Sequence, residues 1–207
     1  MNTLLFQEDI LDVCLNVTTT GSTHDSMILD FAIHPLDLSF DSIYVERTDI
    51  DIGELTFDGD KELYDNLRFK NLLEVDYTGV TGLTVYKDHD NQIINKIQEY
   101  LTYLSGEDNY KIRFWVDNPM DWFFFTNLVF PKRRRHLVFP DFIDVTPMSF
   151  ITAYRMIGQE YSNSIKGILT SLNDLGEGDS LHKSNSIILA KVNRQLLESF
   201  RDNFIKI

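Results

Sequence analysis

The chain of 207 residues is 43% hydrophobic, 13% aromatic and 25% charged, enough apolar material to offset the entropy of ordering a core. That excludes general disorder and makes a single domain spanning 1–207 the expectation. Its 19 basic against 32 acidic residues leave a net charge of −13, a field that repels a phosphate backbone and suits a basic partner surface or plain solubility.

Residues 11–17 alternate and are rich in apolar and β-branched types, which predicts a buried strand. Thr18-Thr-Thr-Gly-Ser-Thr23 is turn chemistry, and Ser26–His34 reads as a second strand stopped by Pro35. Asp41–Arg47 is a third, so the opening reads as an antiparallel meander. From Leu36 to Asp65 there are ten acids and only Arg47 and Lys61 as bases, the pattern of a solvated face. From Asp90 the period changes: Ile93, Ile94, Ile97, Tyr100, Leu101 and Leu104 mark one side of an amphipathic helix ended by Ser105-Gly106. Lys111–Val116 is a strand, and Pro119 opens a helix through Trp122, Phe125 and Leu128. Phe142–Val145 is read as a short extended segment, Pro147 as the start of a helix reaching Ile157, and Ser180–Phe204 as a last long helix. Strands come first and then alternate with helices, which predicts an α/β or α+β domain.

The remaining signals are negative or local. There is no apolar run of about eighteen residues for a membrane span, and Met1–Asp12 has no basic region of the signal-peptide kind. A single cysteine, Cys14, can form neither an internal disulfide nor a four-cysteine zinc site, and it reads as a small buried hydrophobe. These features point to a reduced, cytoplasmic setting. The five histidines lack metal-ligand spacing, and there is no phosphate-cradling glycine loop. Trp122-Phe-Phe-Phe125 is read as core in preference to a base-stacking platform. Lys132-Arg-Arg-Arg-His136 is the one dense basic cluster, so Arg133, Arg134 and Arg135 are the candidate phosphate contacts. Asp117 is read as a loop or cap residue ahead of the Pro119 helix.

Three segments together resemble the motifs of DEDDh-type 3′–5′ exonucleases, in particular those of the phage exonuclease A type. Asn16-Val-Thr-Thr-Thr-Gly-Ser-Thr23, followed by the apolar run Met27–Ile33, looks like the first motif, an Asp-x-Glu pair and a Thr/Gly turn. Trp115-Val-Asp-Asn-Pro-Met-Asp-Trp-Phe-Phe124 looks like the second, with Asp121 on its carboxylate. Gly178-Asp-Ser-Leu-His-Lys-Ser184 looks like the third, in which a His precedes an Asp by five residues. The resemblance implies a ribonuclease H-like α/β fold, a mixed sheet of about five strands flanked by helices.

It also implies what the chemistry would require. A two-metal nuclease holds two divalent cations on several carboxylates, and an imidazole takes the proton of the attacking water. In this sequence the Asp-x-Glu pair has become Asn16-x-Thr18, and the third-motif His and Asp have become Gly178 and Lys183. Taking His182 as the base puts Ile187 where the carboxylate belongs, and Asp30-x-Ala32 recovers only half of the first motif. The expectation is a degenerate exonuclease without metal or catalytic residues, phage-encoded, in which Lys183 or a neighbouring base pairs with Asp121. Such a protein would serve by binding a protein partner, one that is basic or itself binds nucleic acid. Two other readings stand beside it: an active Mg²⁺- or Mn²⁺-dependent exonuclease drawing on Asp12, Asp30, Asp121 and Asp179, and a non-catalytic nucleic-acid-binding module using the three arginines.

Overall fold

The computed structural model describes residues 9–19, 26–47, 82–88, 90–106, 110–130, 140–144, 147–156 and 186–205. Among the described residues ten elements follow in chain order: β1 (Ile10–Thr19), β2 (Ile28–Pro35), β3 (Ser42–Arg47), β4 (Leu83–Asp88), α1 (Asp90–Ser105), β5 (Lys111–Val116), α2 (Pro119–Val129), β6 (Met148–Ser149), α3 (Phe150–Met156) and α4 (Ser186–Ile205). The strands form one mixed sheet in the order β4-β3-β2-β1-β5-β6. The β1–β2 and β2–β3 pairs are antiparallel, whereas β1–β5, β3–β4 and β5–β6 are parallel. The expected α/β architecture is present, with six strands in place of about five.

The period of two along β1 divides the molecule into two layers. Leu11, Val13, Leu15 and Val17 join Phe31, Ile33 and Phe114 in an apolar core covered by α1 and α2. α1 presents the side read from its periodicity, with Ile93, Ile97, Tyr100, Leu101 and Leu104 all buried. It stops where Gly106 turns to φ +60°, a conformation that costs a residue without Cβ little. α2 starts at an Asn118 cap whose side chain accepts a hydrogen bond from the Met120 N–H at 3.0 Å. Phe125 then packs edge-on against Phe31 at 5.5 Å and tilted against Phe114 at 5.4 Å. Phe124 and Phe125 are core residues, as expected of this run, while Phe123 lies toward solvent.

The other side of the sheet is far more polar. Asp12, Asn16, Asp30, His34, Arg113 and Asn193 are all buried there or beneath α4, together with Cys14. α4 closes this side with Val192, Leu196, Leu197 and Phe200, and Trp115 packs between Phe150 at 5.5 Å and Phe200 at 5.7 Å.

Several boundaries differ from the sequence reading. β4 is an element the sequence reading omits, although Gly82 precedes it with φ +73° and Leu83-Thr-Val-Tyr86 is of strand-favouring type. Pro147 does not open a helix: Met148–Ser149 first pairs with Trp115–Val116, and the helix begins at Phe150. Phe142–Val145 contributes a single bridge, Ile143 to Ile112. The second strand begins at Ile28, and the last helix is described only from Ser186. Asp117 precedes the Asn118 cap and is not itself the cap.

Candidate functional site

Parallel pairing of β1 with β5 ends at Leu15 opposite Val116. Beyond that point the backbone of β1 has no strand on its β5 side, and the chain leaves β5 through Asp117 and Asn118 into α2. Asp121, in the first turn of α2, fills the gap: its Oδ2 accepts the Val17 N–H at 3.3 Å. The second-motif acid is thereby seated against the middle residue of Asn16-Val17-Thr18, so two of the three segments that carry the resemblance meet in space. Asp121 is buried, and burial raises its carboxyl to about 7, helped by the negative charge of Asp117 and opposed by the Val17 N–H. Among the described residues no cation pairs with it.

Asn16 and Thr18 lie on the α4 side of β1. Asn16 is buried, with its Oδ1 lacking a hydrogen-bond partner, and Thr18 donates its hydroxyl to Asp30 Oδ1 at 2.8 Å across the β1–β2 pair. Of the acids named for the active-exonuclease reading, Asp30 and Asp121 engage neighbouring residues at the end of β1, and Asp12 stands apart. Asp12 lies five residues from Val17, about 16 Å along an extended strand. Its oxygens are engaged elsewhere: Oδ1 accepts from Arg113 Nε at 2.6 Å and Trp115 Nε1 at 2.7 Å, and Oδ2 from Arg113 Nη2 at 3.0 Å. Asp12 is thus a structural partner of β5, which corrects its place in that set. Asp179, Gly178, Lys183, Arg133, Arg134 and Arg135 lie outside the described residues, so the pairing of Lys183 with Asp121 and the arginine loop are not placed.

Two divalent cations, the group the resemblance implies, do not fit the donors described here. Asn16 and Thr18 bring no charge, and the two carboxylates placed here each have an oxygen engaged, Asp121 by the Val17 N–H and Asp30 by the Thr18 hydroxyl. Among the described residues, no three His, Cys, Asp or Glu side chains cluster so as to hold a metal ion. Hard divalent cations require several anionic oxygens. The sequence alone could single out Asp121 by its place after Asn118-Pro119. It could not reveal the Asp12–Arg113–Trp115 cluster, whose members lie about a hundred residues apart and follow no local spacing.

Among the described residues no helix is long and apolar enough to cross a membrane. No family model matches the sequence, and no curated protein matches it. Among solved structures, the nuclease domain of 3′hExo, a DEDDh family member determined with rAMP bound, superposes with a TM-score of 0.52 at 14% identity. The alignment covers 93% of this chain and 94% of that one. At that identity the likeness speaks for architecture alone: the chain has a ribonuclease H-like exonuclease fold.

Proposed function

We propose that this chain is a degenerate 3′–5′ exonuclease-like protein that has lost its metal-binding carboxylates and acts by binding a protein partner. A scaffold can persist for its surface after its chemistry is gone. The observation that carries this reading is the setting of Asp121: it accepts a backbone N–H at the end of β1, where the adjoining motif positions are the uncharged Asn16 and Thr18 and the one other acid placed there among the described residues, Asp30, accepts the Thr18 hydroxyl. At the third-motif positions that the resemblance assigns, this sequence has Gly178 and Lys183 in place of a His and an Asp. The net charge of −13 favours a partner that is basic or itself binds nucleic acid. A phage-encoded regulatory or structural factor, working without a cofactor in the host cytoplasm, accords with this composition and resemblance.

The test is incubation of single-stranded DNA and RNA with the protein in Mg²⁺ or Mn²⁺. The expected result is intact substrate over hours. Digestion that depends on the divalent ion and disappears in Asp121→Ala would overturn the reading and restore the active-enzyme alternative.

A further inference from the structure

The opposite end of the sheet carries a surface that the degenerate site does not explain. The β2–β3 connection starts where Leu36 N–H donates to the Asp12 carbonyl at 2.8 Å, at the beginning of β1 and so far from Asp121. It brings Phe40 against the last turns of α1. There Phe40 and Tyr103 meet edge to face at 5.8 Å, and Tyr103 lies 6.3 Å from Tyr100. Tyr100 is fixed in turn, its hydroxyl donating to the Asp41 carbonyl at 2.6 Å. The outer part of this cluster is open, with Tyr103 54% exposed, and Leu38, two residues before Phe40 in the same connection, is 71% exposed. This aromatic surface is packed from below and, among the described residues, is left open above.

Its rim settles what fits. Asp37 and Asp41 flank Phe40, and Glu99 stands one helical turn before Tyr103 on α1, all three toward solvent. Among the described residues none of these carboxylates pairs with a cation. An exposed aromatic face ringed by carboxylates is complementary to a guanidinium, which stacks on the ring while its N–H groups meet the acids. A lysine matches the charge but not the planar stacking. We infer that Leu38, Phe40 and Tyr103, with their acidic rim, form the docking surface for a basic polypeptide segment that presents an arginine to Tyr103. This rests on the partner-binding reading above and assigns that partner a place on the molecule.

The experiment is fluorescence anisotropy of labelled nona-arginine and nona-lysine peptides with the full chain and three variants. Nona-arginine is expected to bind about fivefold more tightly than nona-lysine, and Tyr103→Ala to remove about that factor for nona-arginine alone. Asp37→Asn/Asp41→Asn should weaken both peptides and flatten their salt dependence. Asp202→Asn, which removes one negative charge elsewhere, should leave the arginine preference intact. Equal losses in Tyr103→Ala and Asp202→Asn, equal affinity for the two peptides, or no binding at all would each overturn the assignment. So would sedimentation showing that Tyr103→Ala abolishes self-association, which would make a second copy the occupant. Since Tyr103 is exposed, circular dichroism should show the variant folded. Binding that persists unchanged in Tyr103→Ala defeats this surface and leaves the partner-binding reading standing, whereas metal-dependent digestion defeats that reading without bearing on the peptide result.

Discussion

At the scale of single residues, Asp121 ties the β1 terminus to α2 and makes a pH signature. Its folded-state carboxyl lies near 7 against an ordinary 3.8. Between those values the native protein binds more protons than the unfolded chain, so stability falls as pH rises through the window. The loss is on the order of 4 kcal/mol when the shift is converted at the usual rate per unit. Asp121→Asn keeps an oxygen for the Val17 N–H and has no charge to desolvate. Urea unfolding should therefore show the variant gaining on the parent between pH 5 and pH 8, and a gap that does not change with pH would contradict this origin. The carboxylate itself was legible in the sequence, because Asn118-Pro119 marks a helix start and Asp121 falls in its first turn. Its environment was not. Burial of a carboxyl depends on Val17, 104 residues earlier, and no local pattern encodes such a meeting. Asp12 shows the same limit from the other side: an acid on an apolar strand reads as a candidate ligand until Arg113 is brought opposite it by the β1–β5 register.

At the scale of elements, what joins β1 to β5 is a buried polar staple as well as a ladder. Arg113 grips Asp12 with two hydrogen bonds and Trp115 adds a third, beneath Phe150 and Phe200. Burial pushes the Asp12 carboxyl upward, while Arg113 and Trp115 oppose that push. Removing one member of such a pair leaves a buried charge uncompensated, which typically costs about 3–5 kcal/mol, whereas replacing both with apolar groups of similar volume is far milder. Arg113→Met is accordingly expected to lower stability by about that amount, and Asp12→Leu/Arg113→Met to recover most of it, as measured by chemical denaturation. A double variant as unstable as the single one would show that Arg113 matters for its packing alone. Elements with a clean period were readable: the alternation of β1 and the apolar stripe of α1 appear in the structure as expected. The failures were β4, as long as the strands β3 and β5 that were read, and the region after Pro147. β6 has two residues, and Pro147 is as compatible with an extended approach to a strand as with a helix start. Where local preference is evenly split, pairing with β5 decides, and that pairing is non-local.

At the scale of the whole molecule, charge works against compactness. Residues 1–110 hold six basic and 22 acidic residues, and the other 97 hold 13 and ten. Self-repulsion of this kind destabilises the folded state at low ionic strength and is screened once the Debye length shrinks to about 10 Å at 0.1 M salt. Thermal unfolding is therefore expected to move upward as KCl rises from low to physiological concentration. Divalent ions separate screening from binding. An ion held only by the native state adds stability in proportion to the logarithm of its concentration above its Kd, about 2.7 kcal/mol at a hundredfold excess. A chain that has lost its metal-binding carboxylates, as proposed above, should gain nothing of that kind. At matched ionic strength, MgCl₂ and MnCl₂ should therefore shift the melting temperature of the parent and of Asp121→Ala by the same increment, because both act through the diffuse acidic surface. An increment that is present in the parent and vanishes in Asp121→Ala would place a specific ion beside β1 and overturn the proposed loss of metal ligands.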